Sequence, residues 1–198
     1  MNKEKNDREN LDMTKDYQNT CSCKKELKQS LDLLIKPSIK KLIDFDKFIL
    51  IGDHFITGNL KTISNCTDLI TYANLIDLTK PKIPIYTSST TCDLIGVLFS
   101  LKPCQGYEFI KSINKVVHSI DPNSICNAED DEHSCNISKA LFLIDSVGPV
   151  NIKVSSSAID ETSFLQFNVI AVTNNIAWLI NDNDEVLIIC LNSIEQLG

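Results

Sequence analysis

Cysteine is the residue type with most chemical potential in this sequence. Eight are present, at positions 21, 23, 66, 92, 104, 126, 135 and 190. No two are spaced CxxC, so neither a zinc ribbon nor a thioredoxin-type dithiol is signalled. Cys21 and Cys23 flank one serine at the head of a lysine-bearing segment, Lys24, Lys25 and Lys28. Neighbouring cations and a helix N-terminus both favour thiolate, so these two are expected to be exposed and the most reactive thiols. Cys126, His133 and Cys135 share one acidic stretch with Asp130, Asp131 and Glu132. Thiolate, imidazole and carboxylate are zinc ligands, and two cysteines on one flexible loop can also close a disulfide. Cys190, inside VLIICL, reads as a buried small hydrophobe. Cys66, Cys92 and Cys104 read as core thiols by default.

Other chemistry is poorly represented. The histidines are His54, His118 and His133. A hydrolase would need His54 or His118 beside a cysteine or serine in space, and no GxSxG, HExxH or family-type cysteine signature supports one. There is no GxGxxG and no Walker A loop for a nucleotide. The NDND run at 181–184 lacks the glycine and terminal glutamate of an EF-hand loop and reads as a turn.

The elements that must position these groups change character along the chain. Residues 1–20 carry nine charges and few apolar groups, which predicts a disordered leader. They contain no apolar h-region, so synthesis in the cytoplasm without a signal peptide is expected. From Cys23 the apolar residues Leu27, Leu31 and Leu34 or Ile35 recur at helical spacing, up to a stop at Pro37. A short turn places Ile39, Leu42 and Ile43 inward, and β-prone runs follow from Phe45. Residues 59–80 fit either strand or helix. IPIYTSSTTCDLIGVLFSLKPC reads as two strands joined by a Ser/Thr-rich link, and 107–120 as a helix. Residues 121–136 read as an exposed acidic loop. After it ALFLIDS, VNIKVSS, FLQFNVIAV, IAWLI and EVLIICL read as strands separated by Gly-Pro, Asn-Asn and NDND turns. The fold class expected is α+β and mostly β: an N-terminal helix, short strands, and a C-terminal antiparallel β-meander whose last strands are buried on both faces. The organisation expected is a leader (1–20), an α+β part (21–120), the acidic loop (121–136) and a β-rich part (137–198), forming one composite domain.

Charge narrows the partners. The chain has 198 residues, 19 basic against 26 acidic, and a net charge of -7. The basic residues are lysines except Arg8, and none follows Lys153. A nucleic acid or an anionic membrane would require a basic surface, so neither is an expected partner. No apolar run reaches the ~18 residues needed to span a bilayer.

Two segments resemble a group of poorly characterised proteins of spore-forming Firmicutes. One is CSCKKELKQSLDLLIKPSIKKLIDFDKFILIGDHFITG at 21–58, where Cys21, Cys23, Lys24, Asp44, Phe45 and Asp46 fit a C-S-C-K helix and a DFD-F segment. The other is NNIAWLINDNDEVLIICLNSIEQLG at 174–198, where Cys190, Asn192, Ile194, Glu195, Leu197 and Gly198 fit a C-x-N-x-(I/V)-E-x-L-G end. Together they cover about a third of the chain. The resemblance carries no catalytic residues and implies association with a spore coat or spore surface. The reading favoured is a non-enzymatic structural or assembly protein that binds itself or other coat-type proteins. Its cross-linking thiols would be Cys21, Cys23, Cys126 and Cys135, and it needs no cofactor. The alternative is a metal-binding or redox-responsive module in which Cys126, His133 and Cys135 hold zinc.

Overall fold

In a computed structural model, described residues are 23–52, 60–66, 69–74, 85–90, 94–121, 132–156 and 159–198. Helix α1 covers residues 23–34, and its buried stripe is Cys23, Leu27, Leu31 and Leu34. Pro37 does more than stop it. The proline takes the first position of a second short helix, α2 (Pro37–Lys40), where its missing N–H leaves no bond unmade. Ile39, Leu42 and Ile43 turn inward as the pattern requires.

The centre is a seven-stranded, wholly antiparallel sheet built from β1 (Ile43–Gly52), β5 (Leu94–Leu101), β6 (Val150–Ser156), β7 (Ile159–Val172), β8 (Ile176–Asn181), β9 (Glu185–Cys190) and β10 (Ile194–Leu197). Their spatial order is β1-β5-β9-β8-β7-β6-β10. Strands from both sides of the acidic segment are thus hydrogen-bonded neighbours. A separate three-stranded sheet, β2-β3-β4, comprises β2 (Leu60–Cys66), β3 (Leu69–Asn74) and β4 (Ile85–Thr90). The ambiguous stretch 59–80 therefore contributes strands.

Alternation along β8 and β9 explains their unbroken apolarity. Ile176, Trp178 and Ile180 with Val186, Ile188 and Cys190 face one core. Ala177 and Leu179 with Leu187, Ile189 and Leu191 face the other. A strand buried on both sides has no polar face to show. The first core is covered by α1 and by α3 (Gly106–Ile113) through Phe109 and Ile113. Phe48 of β1 stacks on Phe99 of β5 at 5.3 Å, and Phe99 meets Phe109 edge-on at 5.8 Å, so three elements share one aromatic seam. β1 and β5 slip register between Asp44 and Phe48, which places the DFD-F segment in a bulge. The close approach of β5 to β9 requires Gly96, where a Cβ would lie 2.7 Å from Ile189 Cδ1 and 2.9 Å from the Ile188 carbonyl oxygen.

The second core is covered by α4 (Glu132–Asp145), and here the sequence reading is corrected twice. The end of the expected acidic loop, from Glu132, is the first turn of this helix, and ALFLIDS continues it instead of forming a strand. The buried positions of α4 are Ser134, Ser138 and Leu141, and its two small serines let the helix settle on β6, β7, β10 and a 3-10 turn (Leu191–Ser193). Such a face carries almost no hydrophobic signal. The expected helix over 107–120 is shorter, ending at Ile113. Beyond it, Ile120 N–H donates to the Val172 carbonyl and Val172 N–H to Ser119 Oγ, which straps this segment to the end of β7. No helix among the described residues is long and apolar enough to cross a membrane.

Candidate functional site

Cys23 opens α1 and Cys190 closes β9. The two are joined in a disulfide with Cα atoms 5.7 Å apart, 167 residues apart in sequence. They are 2% and 1% exposed. Cys23 is thus not the exposed, reactive thiol expected from its lysine neighbours. It occupies the first position of the buried helical stripe (Cys23, Leu27, Leu31), so burial and pairing follow from helix phase, while the lysines fall on other faces. Cys190 is buried as expected, and carries the bond as well.

One turn along α1, Glu26 reinforces this junction. Thr173 Oγ1 donates to Glu26 Oε2, and Asn175 Nδ2 donates to Glu26 Oε1 at 2.6 Å. Both partners belong to the turn between β7 and β8. That turn is itself tight: Thr173 N–H donates to the Ile176 carbonyl at 2.9 Å, and Ile176 N–H to Thr173 Oγ1 at 3.2 Å. The Asn175 carbonyl then accepts from Leu191 N–H, the residue following Cys190, at 2.8 Å. The head of α1, the β7–β8 turn and the end of β9 are therefore closed into one ring of covalent and charge-assisted contacts. Nothing in the sequence around Glu26 distinguishes it from the other acidic residues, because its partners lie about 150 positions away.

Beside this junction runs an open cleft between α1, the segment after α3 and the β7–β8 turn. Glu26, Ser30, Lys36 and His118 lie along it, and the buried Trp178 is among its lining residues. His118 is exposed and makes no hydrogen bond to a serine, threonine or cysteine among the described residues. His54 lies outside them.

The remaining sequence candidates divide as follows. Cys21 and Cys126 lie outside the described residues, as do Cys92, Asp130 and Asp131. Cys135 sits half-buried on the first turn of α4 and is disulfide-bonded. It is helical where a loop was expected, and of the roles weighed for it, cross-linking thiol, zinc ligand or disulfide, it takes the last. His133 is exposed, and its Nε2 pairs with the Ile194 carbonyl at 3.1 Å. Among the described residues no three histidine, cysteine or acidic side chains converge as a metal site would require. The NDND run is a turn, in which Asn181 Oδ1 accepts from the N–H groups of Asn183 and Glu185 and Asp184 takes the left-handed conformation, φ 59°.

Cys104, read by default as a core thiol, is corrected: it lies on the surface and was missed as a candidate. It is the free cysteine among the described residues, it is exposed, and its backbone is left-handed with φ 62°. Its place between Pro103 and the start of α3, in a loop that must turn sharply, was the available signal.

Comparison with known proteins adds one match. A family model described as spore coat protein CotA-like matches residues 21–79. No curated protein matches the chain, and no solved structure does. The matched segment holds α1, α2, β1, β2 and β3, and so contains Cys23 and Glu26 but not their partners on β9 and the β7–β8 turn. Over that segment the chain is similar to spore coat proteins of this family.

Proposed function

We propose that this protein is a non-enzymatic structural constituent of a spore coat, a folded unit locked by its own disulfide and joined to neighbouring chains through its remaining thiols. The match of residues 21–79 to a spore coat family is the observation that carries this reading. The ring around Cys23, Glu26 and Cys190 supports it, since it stabilises a scaffold without arranging a nucleophile, base and oxyanion donors as acyl-transfer catalysis would need. The chain is made with its thiols reduced. In an oxidising layer Cys23 and Cys190 surrender two protons and two electrons to an oxidant such as dioxygen or an oxidised thiol pair. Cross-links to other chains then form in the same way at the exposed Cys104 and at whichever of Cys21 and Cys126 is not already the partner of Cys135.

Air oxidation of the purified full chain tests this, followed by intact mass measurement without reductant. Covalent multimers that collapse on reduction are expected from the native chain. They are expected to be lost when Cys21, Cys66, Cys92, Cys104, Cys126 and Cys135 are all replaced by serine, while the Cys23–Cys190 bond persists within each monomer. Multimers of undiminished yield from this variant, or none from the native chain, would overturn the cross-linking role.

A further inference from the structure

Lys40, Lys41 and Lys102 border a groove where α2, the start of β1 and the loop after β5 come together. Two hollows adjoin there. Asp44 and Phe45 line the first, Gln105 and Glu108 the second, and Lys41 and Lys102 line both. Each hollow has one acid, and the residues the two share are lysines alone. Lys102 N–H donates to the Leu42 carbonyl at 2.8 Å, which ties the loop to the junction of α2 and β1. All three lysines are exposed. Lys40 Nζ stands 5.4 Å over the Phe45 ring, while Lys41 and Lys102 make no ion pair among the described residues. In a chain of net charge -7 they are unmet cations gathered in one place. The opposite charge is also in the sequence: Glu129, Asp130, Asp131 and Glu132 are consecutive, and no lysine lies between Lys115 and Lys139. Glu132 opens α4, which packs on the second core, whereas α2 and α3 beside the groove pack on the first. The acidic run of one molecule is thus anchored across the sheet from its own groove, and a second copy can bring its run there.

We propose that this groove docks the acidic run 129–132 of a second copy of the chain, head to tail. The contact is heterologous: each chain gives its run to one neighbour and its groove to another, so the contact propagates instead of closing on a pair. Exposed ion pairs are individually weak and are screened by salt, so several must form together and association must fall as ionic strength rises. The exposed free thiol Cys104 follows Lys102 by two residues and precedes Gln105, so a docked chain is brought beside it. The inference rests on the structural reading above and deepens it by naming a second copy as the partner.

Analytical ultracentrifugation of the full-length chain, alkylated with iodoacetamide so that no new disulfide can form, tests this. At about 0.02 M salt the mass is expected to exceed that of one chain and to rise with concentration; at about 0.5 M, where screening is nearly complete, it is expected to fall to that of one chain. A variant carrying Lys40→Glu, Lys41→Glu and Lys102→Glu is expected to stay single at low salt. So is one carrying Glu129→Lys, Asp130→Lys and Asp131→Lys. Mixing the two, each shown folded by circular dichroism, is expected to restore association, because every groove again meets a run of opposite charge. A native chain that stays single at low salt would overturn the docking whether or not the variants fold. Disulfide-linked multimers formed by the unalkylated chain would in that case leave the cross-linking role standing, so the two failures are distinguishable. Undiminished association of the lysine variant would overturn the groove, and a mixture that stays single would overturn its pairing with the acidic run.

Discussion

Breaking the Cys23–Cys190 bond frees a loop of 167 residues in the unfolded chain. In the chain-entropy account a cross-link over such a length stabilises by on the order of 5 kcal/mol, and removal of native disulfides commonly costs about 2–5 kcal/mol. Replacing both cysteines by alanine should therefore lower stability by about that amount in urea under oxidising conditions, with the gap to the native chain closing in reductant. Equal oxidised stabilities would show the bond to be incidental. Glu26 makes a separable contribution. Glu26→Ala removes the acceptor for Thr173 Oγ1 and Asn175 Nδ2, and should cost about 1–3 kcal/mol with the disulfide intact. Glu26→Gln, which keeps one carbonyl acceptor, should cost less in the same denaturant series.

At the scale of elements, close approach matters more than bulk. Gly96→Ala would thrust a methyl group against the Ile188 carbonyl and Ile189 Cδ1, and is expected to cost about 1–3 kcal/mol by thermal unfolding. Ser138→Leu on α4 tests this packing: Ser138 is 1% exposed, so a larger apolar side chain must push the helix off the sheet. It should destabilise by about 1–3 kcal/mol despite its hydrophobicity, whereas a gain in stability would mean that the helix has room to spare. This is also where legibility from sequence divides. Helix α1 was readable because Leu27, Leu31 and Leu34 keep one phase. Strands β8 and β9 were readable because only two-sided burial tolerates IAWLI and EVLIIC without polar alternation. Helix α4 was not, because serine at Ser134 and Ser138 hides its buried face while ALFLID imitates a strand. The disulfide and the Glu26 contacts were invisible because their partners come together only when β9 and the β7–β8 turn fold against α1.

For the molecule as a whole, the junction explains why a segment resembling coat proteins is coupled to a C-terminal meander outside the matched residues. Helix α1 is fastened by the disulfide to β9, beside the centre of the seven-stranded sheet, and by hydrogen bonds to the adjoining turn. Oxidation therefore stiffens this unit from within, and Cys104 stays an exposed free thiol. The most direct test of this account is to locate the protein in spores of the organism that makes it. Fractionation into coat and core extracts, blotted with and without reductant, is sufficient. The account predicts a coat-fraction protein released as monomer only after reduction. A protein found in the soluble core extract, migrating as monomer without reductant, would contradict it.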